Sequence, residues 1–320
     1  MRNVRFKVLI MGHGEMGHAM QHLLGNRHDF EVWERAPRPD GRSVAPETLA
    51  ADRDVVLFCV PTPPHFDLVS RLLPALSRRT LCLSIAKGLD EHGRTPADVF
   101  SQVLGTKIPH GVLYGPMIAE EIRAGKPAFA QLAVNGGDGM RKAVALFHGT
   151  GLHIEAASDP MGIAWSAALK NVYAILFGVA DELHLGDNMR GHLAVGALAE
   201  ISAIVTHFGG LAATPYRLAG LGDLITTATS AGSHHHELGR LLVRGQRDAI
   251  HGEGIHTLDI LHQGVAISFE AYPLLGLIDA CVRDPDNIHT KVQNYLDALD
   301  RLTWAKVDQT GADASQNRNG

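Results

Sequence analysis

The sequence predicts an α/β fold in which an N-terminal, doubly wound parallel sheet is followed by an all-α C-terminal domain. In the first half of the chain, short apolar or β-branched segments alternate with longer amphipathic segments, which is typical of βαβ units. A glycine-rich turn joins the first strand-like segment to a helix-like one. After Ser158 the pattern is mainly helical, with glycine turns between the helices. We therefore expect domains at residues 1–157 and 158–307, followed by a polar, flexible tail at 308–320.

Six strands are expected in the first domain, because six short runs are rich in apolar and β-branched residues. These runs are Lys7–Met11, Phe30–Trp33, Val55–Val60, Thr80–Ala86, Val112–Tyr114 and Gln131–Val134. Amphipathic helices are expected at Phe66–Leu76 and Gly139–His148, and right-handed crossovers would make successive strands parallel. The crossover after the second strand is expected to be abbreviated, because the stretch from Pro37 to Pro46 is rich in proline and arginine where a helix would lie.

The second domain is expected to begin with a helix, since Asp159 and Pro160 form a good helix start. The segment from Gly162 to Ala180 is apolar enough to raise the question of a membrane span. Lys170 and Asn171 lie in its middle, however, where a charge costs about 2.5–3.5 kcal/mol on insertion scales. We therefore predict a buried core helix.

The composition is that of an ordinary globular protein, with 320 residues of which 45% are apolar and 20% charged. The formal net charge of -5 argues against a surface for nucleic acid or anionic membranes, and the charged N-terminus lacks a signal-peptide cleavage pattern. Three cysteines lie in apolar runs without CxxC or metal-ligand spacing and are expected as reduced thiols: Cys59, Cys82 and Cys281. We expect a cytoplasmic protein with a small-molecule partner, no nucleic acid and no membrane insertion, for which a homodimer is possible.

Gly12, Gly14 and Gly17 form a GxGxxG turn between the first strand and a predicted helix. Gly12 allows the tight turn, Gly14 lets the backbone approach a pyrophosphate, and Gly17 lets helix and strand pack closely. The unpaired N–H groups at the helix N-terminus would bind the phosphates. A glycine turn alone is a weak signal that also suits a strand-turn-helix without a ligand. Here the strand, the helix and an acidic residue at the expected distance favour a Rossmann-type dinucleotide site.

The acidic residue is Glu34, at the end of the second strand. A carboxylate at this position hydrogen-bonds the ribose hydroxyls of NAD and repels the ribose phosphate of NADP. Arg35 follows directly and could instead pair with that phosphate. We therefore expect NAD as the cofactor, with NADP as the alternative.

Two lysines are candidates for the chemistry. Lys87 ends the fourth strand, at the carboxyl edge of the sheet where ligands bind, although a solvated strand-end lysine is an equal alternative. Lys170 is the only charge between Gly162 and Ala180, and a lysine in a buried helix needs a partner or a function. Burial and a second cation would lower its pKa toward the range of a general acid/base. The alternative is an ion-paired structural lysine.

Asp223 lies in a glycine-flanked turn before a threonine-rich stretch. It could orient the ammonium of Lys170, or it could be only a helix N-cap, which is the commoner role for such an aspartate. His234, His235 and His236 look like a metal-binding cluster. Adjacent helix residues point in different directions and rarely ligate one ion, so we predict no metal site.

Together these motifs resemble the NAD(P)-dependent glycerol-3-phosphate dehydrogenases, from about Lys7 to Cys281. Their order and spacing are far more specific than the glycine turn alone. The segments that carry the resemblance are GHGEMG (12–17), SIAKGL (84–89), GPMIAEEIRAGKP (115–127), AALKNVYAI (167–175), LAGLGDLITTATSAGS (218–233) and GEGIHT (252–257). The resemblance implies an oxidoreductase that transfers a hydride between NAD(P)H and dihydroxyacetone phosphate or sn-glycerol 3-phosphate.

The resemblance also implies roles for individual residues. Lys170 would be the general acid/base at the substrate oxygen, and Lys87 and Asp223 would bind the substrate and position that lysine. The other residues implied on the substrate side are Gly115, Asn171, Thr227, Ser233, His234 and His235. The residues implied to contact the cofactor, besides the three glycines and Glu34 or Arg35, are Glu15, Met16, Lys87, Ala119, His234 and Glu253.

Departures from the family bear on the identity of the substrate. The family usually has Ser-Arg-Asn where this chain has Ser233-His234-His235, and a histidine is a weaker, pH-dependent substitute for a guanidinium. Met117 replaces a family serine or threonine and removes a hydroxyl from the substrate side. Two alternatives stay open: a related reductase of another small ketone or keto acid, and a nicotinamide-binding sensor without turnover. The presence of both lysines together with Asp223 argues against the sensor.

Overall fold

The structure is a computed structural model that describes residues 4–36, 44–230, 232–264 and 267–301. The first part is a sheet with helices on both faces. Its elements, in chain order, are β1 (Lys7–Met11), α1 (Glu15–Leu24), β2 (Asp29–Trp33), α2 (Pro46–Ala50), β3 (Val55–Phe58), α3 (His65–Leu72), β4 (Leu81–Ser84), α4 (Pro96–Leu104), β5 (His110–Tyr114), α5 (Ala119–Arg123), β6 (Ala128–Val134), α6 (Gly137–Phe147) and β7 (Leu152–Ala156). Most of the abbreviated crossover, residues 37–43, and the tail at 308–320 lie outside the described residues.

The predicted fold class is confirmed by the order of the strands, β2-β1-β3-β4-β5-β6-β7. All neighbouring strands are parallel except β5 and β6, so the prediction of a wholly parallel sheet is wrong at this one pair. The reason is the length of α5 between them. A five-residue helix spans about 8 Å, which is too short to return along a strand of about 16 Å, so β6 starts at the edge where β5 ends.

The sequence prediction also missed β7, at the edge of the sheet. Only Leu152 of its five residues is buried, so the strand lacks the apolar run that marks the interior strands. By contrast, every residue of β3 and β4 is buried, because helices cover both faces of the sheet there. The carboxyl ends of β1, β3 and β4 meet at one edge, and the segments that follow them form one wall of a cleft.

The described residues after Ala157 form helices and turns and contain no strand. The helices are α7 (Pro160–Glu182), α8 (Gly186–His207), α9 (Asp223–Thr229), α10 (His234–Val243), α11 (Glu253–Gln263) and α12 (Pro273–Arg283), and residues 288–301 are also helical. The predicted helix start is confirmed, since the Asp159 carboxylate accepts a hydrogen bond from the Gly162 N–H at 2.8 Å. The division of the chain at residue 157 stays a prediction.

Helix α7 is the core of the helical part, as predicted. Among the described residues it is the one helix long and apolar enough to cross a membrane, and its apolar window is completely buried inside the protein. Helix α10 packs against it at a glycine contact. A Cβ on Gly178 would collide with the carbonyl oxygen of His236, and a Cβ on Gly239 would collide with that of Ile175. These two glycines bring the N-terminus of α10 close to Lys170.

Candidate active site

A cleft of about 690 Å³ lies between the carboxyl edge of the sheet and the helical part. Its sheet side consists of the glycine turn, the segments after β3 and β4, and the start of α5. Its helical side consists of α7, α9, and the N-terminal ends of α10 and α11. Doubly wound sheets bind their ligands at this edge, so the cleft is the candidate active site.

The glycine turn fits a dinucleotide. Gly12 has a φ of +96°, and a Cβ on it would lie 2.7 Å from Val60 Cγ1. A Cβ on Gly17 would collide with the carbonyl oxygen of Gly12, whereas a Cβ on Gly14 would meet nothing within 4 Å. Helix α1 begins directly after Gly14 without a side-chain cap among the described residues. Its first N–H groups can therefore bind a pyrophosphate, which is what the turn requires.

Glu34 lies beside this turn, because the Gly12 N–H donates to the carbonyl oxygen of Trp33 at 2.8 Å. Its half-exposed carboxylate is 3.6 Å from Nδ1 of His13. Arg35 follows it on the surface. Both residues thus lie in the segment that continues from β2 toward the cofactor position. Their expected effect on the preference for NAD or NADP stays a prediction.

Two lysines share one buried carboxylate in the cleft. Asp223 Oδ2 is 2.6 Å from Nζ of Lys87 and 3.2 Å from Nζ of Lys170. Lys170 also donates to Thr227 Oγ1 at 2.6 Å, and Lys87 donates to the carbonyl oxygen of Gly115 at 3.4 Å. Lys170 and Asp223 are buried, while Lys87 is partly open to the cleft. The structure therefore joins residues from the segment after β4, from α7 and from α9, although Lys87 and Asp223 are 136 positions apart in the chain.

Burial is the largest influence on this cluster. It lowers the pKa of Lys170 to about 8; the carboxylate of Asp223 opposes that shift, and the ammonium of Lys87 adds to it. Burial alone would raise the pKa of Asp223, but the two neighbouring ammonium groups outweigh it and hold that pKa below its usual value. At neutral pH the cluster thus carries an ionised carboxylate between two ammonium groups, one of which loses its proton more readily than an exposed lysine.

The sequence left alternative roles open for Asp223, Lys87 and Lys170, and the structure bears on each of them. Asp223 is not a side-chain N-cap: the N-cap residue of α9 is Gly222, and the Asp223 carboxylate binds the lysines instead. Lys87 is not a solvated strand-end residue, since only 17% of its side chain is exposed. Lys170 is ion-paired, as one alternative held, but the pair lies in the cleft and not in a closed core.

Most of the other residues expected in the site also line the cleft. They are Gly14, Glu15, Met16, Asn171, Thr227, Ser233, His234, His235 and Glu253. The carboxylate of Glu15 pairs with Arg123 at 2.7 Å and is largely exposed, so its backbone is the part that belongs to the glycine turn. Glu253 begins α11, and burial raises its pKa, while Lys87 and Lys170 act to lower it. Ala119 does not line the cleft, although its neighbours Ile118 and Glu120 do.

The three adjacent histidines of α10 have three different environments. His235 is directed at α11, where Nε2 accepts a hydrogen bond from the Gly254 N–H at 3.2 Å. Burial, and then the charge of Lys170, lowers the pKa of His235 to about 3, so its ring is neutral. His234 Nε2 is 2.8 Å from the carbonyl oxygen of His251, and His236 binds Asp181 on the far side of the helix. No group of three metal-ligating side chains occurs in the part of the chain that the structure describes.

Sequence reasoning missed the segment after β3. Cys59, Val60 and Pro61 line the cleft, and Val60 packs against the glycine turn. The signal was available, because a strand that pairs with β1 in a doubly wound sheet ends beside the cofactor position. The wall formed by Glu120 and Glu121 was also missed, since nothing in the sequence shows that α5 is a single short turn at this edge.

Comparison with known proteins gives a consistent result. Residues 42–138 match the N-terminal part, and residues 159–284 the C-terminal part, of the family described as NAD-dependent glycerol-3-phosphate dehydrogenase. The glycerol-3-phosphate dehydrogenase (NAD(P)+) of Agrobacterium fabrum is 32% identical over 269 residues, which cover 76% of this chain and 81% of the relative. That of Gloeobacter violaceus is 32% identical over 283 residues, which cover 86% and 91%.

Solved structures show the same fold. The crystal structure of glycerol-3-phosphate dehydrogenase from Coxiella burnetii superposes with a TM-score of 0.79 at 24% identity, covering 91% of this chain and 99% of that one. A glycerol-3-phosphate dehydrogenase structure from Saccharomyces cerevisiae gives a TM-score of 0.72 at 21% identity, with the same two coverages. The likeness extends over both the sheet and the helical part.

Proposed function

The chain belongs to the NAD-dependent glycerol-3-phosphate dehydrogenase family, and on that premise we propose that Lys170 is the general acid/base of its reaction. The protein is an NAD(P)-dependent oxidoreductase that interconverts dihydroxyacetone phosphate and glycerol 3-phosphate. The observation that carries the proposal is the shared carboxylate: Asp223 holds the ammonium groups of Lys87 and Lys170 together in the cleft beside the glycine turn.

Lys170 moves the proton in this proposal. The nicotinamide, when bound, supplies the hydride to the carbonyl carbon of dihydroxyacetone phosphate. Lys170 Nζ donates a proton to the carbonyl oxygen as that oxygen becomes the alcohol, and it takes the proton back in the reverse direction. A pKa of about 8 keeps most of the lysine protonated at pH 7 and makes release of the proton easier than from an exposed lysine. The hydrogen bond to Thr227 fixes the position of Nζ.

Lys87 and Asn171 act on the charge that develops on the substrate oxygen. Both line the cleft next to Lys170, and a cation or an amide N–H fixed beside that oxygen stabilises the transition state more than the ground state. Asp223 keeps the two ammonium groups at set distances despite their mutual repulsion. Because the carboxylate is buried and accepts from both lysines, its role is to orient them and not to take up the proton.

We place the substrate phosphate at the N-terminus of α10. Ser233 is the N-cap residue there, and Ser230, Gly232, Ser233 and His234 all line the same end of the cleft. The free N–H groups and the dipole of a ten-residue helix favour an anion at this position. His234 lies at the rim, where its ring can contact the phosphate.

A second candidate activity, beside the reduction of dihydroxyacetone phosphate, is the reduction of another small ketone or keto acid. The observation behind it is that His235 is neutral and that Met117 contributes an apolar side chain to the cleft. The phosphate end therefore has no permanently charged side chain among Ser233, His234 and His235. Comparison of dihydroxyacetone phosphate with unphosphorylated dihydroxyacetone and short 2-keto acids distinguishes the two candidates.

We also propose NAD as the preferred cofactor and the cytoplasm as the site of action. The first rests on the carboxylate of Glu34 beside the glycine turn, and the second on three free cysteine thiols. A homodimer is the assembly that we propose to test, by light scattering of the purified protein.

For the reaction itself, the test is turnover of dihydroxyacetone phosphate with NADH and NADPH by the wild type and by a variant without the Lys170 ammonium.

A further inference from the structure

His65 is a buried histidine whose two ring nitrogens both make hydrogen bonds. Nδ1 lies 3.0 Å from the carbonyl oxygen of Pro61, and Nε2 lies 2.9 Å from Ser84 Oγ. A carbonyl oxygen only accepts, so Nδ1 carries the hydrogen and Nε2 of the neutral ring accepts from the Ser84 hydroxyl. Burial lowers the pKa of His65 to about 4, which agrees with a neutral ring at pH 7.

The hydrogen bonds continue from Ser84 to the residue before Lys87. Ser84 Oγ accepts from the Ala86 N–H at 3.2 Å, and the Ala86 carbonyl oxygen accepts from the hydroxyl of Tyr114 at 2.5 Å. Both polar backbone groups of Ala86 are therefore held by side chains at the ends of β4 and β5. These two hydrogen bonds orient the backbone of the residue that directly precedes Lys87.

These hydrogen bonds form a chain from Pro61 through His65 and Ser84 to Ala86, and its Pro61 end lies beside the glycine turn. Pro61 follows Val60, which packs against Gly12 of the glycine turn, and Pro61 and Lys87 line the same cleft. We infer that His65 is a positioning residue for the reaction: it ties the segment after β3 to the segment after β4 and thereby holds the Lys87 ammonium at the substrate. This inference rests on the proposed function, because it assigns Lys87 to the substrate.

If His65 were only structural, its replacement would lower Tm without changing KM. His28 provides a matched control for this alternative. His28 is also buried, accepts from the Phe6 N–H at Nδ1 (3.2 Å) and binds the Leu146 carbonyl oxygen through Nε2 (2.8 Å). It precedes β2 and so lies at the opposite edge of the sheet from the cleft. Asparagine at either position keeps a polar atom near Nδ1 and removes the bond made by Nε2.

The experiment compares His65→Asn with His28→Asn by hydrogen exchange and by steady-state kinetics. We expect His65→Asn to speed exchange of the Ala86 amide about tenfold or more, and to raise KM for dihydroxyacetone phosphate about tenfold. The Kd for NADH, measured by fluorescence, should change less than about twofold, because the Pro61 contact is kept. His65→Gln, whose side-chain oxygen can reach Ser84, should restore much of the KM. His28→Asn should lower Tm and leave KM and Ala86 exchange unchanged.

Two outcomes would overturn the inference. One is that His65→Asn lowers Tm like His28→Asn but leaves both Ala86 exchange and KM at wild-type values. The other is that His65→Gln is no better than His65→Asn in either readout. If His65→Asn does not fold, Ser84→Ala removes the hydroxyl that joins His65 to the Ala86 amide, and it must raise KM for dihydroxyacetone phosphate as well as speed the exchange. If the wild type does not reduce dihydroxyacetone phosphate, the proposed function fails, and the exchange measurement still decides whether His65 holds the Lys87 segment.

Discussion

The carboxylate of Asp223 lies 3.2 Å from the ammonium of Lys170, and both side chains are buried at the base of the cleft. Burial lowers the pKa of that lysine to about 8, and the attraction of Asp223 keeps it from falling further. The lysine can therefore give up and regain a proton near neutral pH while it remains fixed in position. The charge state of one buried pair thus links the geometry of the cleft to the pH dependence of the reaction.

The rate of dihydroxyacetone phosphate reduction should fall as the pH rises through about 8, because the proposed acid, Lys170, must be protonated. Oxidation of glycerol 3-phosphate should rise over the same interval, since it needs the neutral amine. Single-turnover hydride transfer between pH 6.5 and 9.5 measures both. In Asp223→Asn the loss of the carboxylate should move the midpoint of the residual activity to lower pH. A midpoint that moves upward would contradict the pairing.

Wild-type enzyme should prefer NADH to NADPH, and Glu34→Ala should reduce that preference about tenfold or more. The physical reason is the loss of a carboxylate that bonds the ribose hydroxyls of NAD and repels the phosphate of NADP. The measurement is the ratio of kcat/KM for the two cofactors, with Arg35→Ala as the matched variant. If the wild type prefers NADPH and Arg35→Ala reverses that preference, Arg35 determines the cofactor preference and Glu34 does not.

His234→Arg should lower the KM for dihydroxyacetone phosphate if His234 lies at the substrate phosphate, because a guanidinium is always charged and can bind a phosphate through two N–H groups. The measurement is the KM of the wild type and of the variant at the same pH. Unphosphorylated dihydroxyacetone serves as the control substrate and should be insensitive to the change. An unchanged KM for the phosphorylated substrate would favour the reductase of another ketone or keto acid.

Gly178→Ala should destabilise the fold by about 2–3 kcal/mol, because the new methyl group would collide with the carbonyl oxygen of His236 and push α10 away from α7. The matched control is Gly191→Ala in α8, where a Cβ meets nothing within 4 Å. There the higher helix propensity of alanine should raise the free energy of unfolding by about 0.5–1 kcal/mol. Chemical denaturation of the two variants measures both changes. Equal stabilities would show that α7 and α10 do not depend on this glycine contact.

The sequence was sufficient to predict the fold class because the patterns were local. The strand Lys7–Met11 was predicted with its observed bounds, and the burial of α7 followed from the absence of charges other than Lys170 between Gly162 and Ala180. The antiparallel β6 could not be predicted, because its direction depends on how far α5 returns along the sheet. β7 was missed because it lies at an edge, with only Leu152 buried.

The candidate site was predictable residue by residue but not as an arrangement. Each lysine could be singled out from its own surroundings in the chain, but the carboxylate that pairs with Lys87 could not be predicted. That both lysines meet one oxygen of Asp223 depends on the packing of α9 against α7. His65 gave no signal at all, because a histidine after a strand has no distinctive pattern and its two partners, Pro61 and Ser84, are separated by a helix.

The most direct test of the account is the kinetics of Lys170→Ala, with Lys170→Met as a variant that keeps the length of the side chain without its charge. Both should bind NADH with wild-type affinity in a fluorescence titration, because Lys170 is on α7 and not in the glycine turn. Both should reduce dihydroxyacetone phosphate with a kcat lower by about 10²–10⁴, the usual contribution of a general acid/base. A kcat within a few-fold of the wild type in either variant would contradict the central claim that Lys170 transfers the proton.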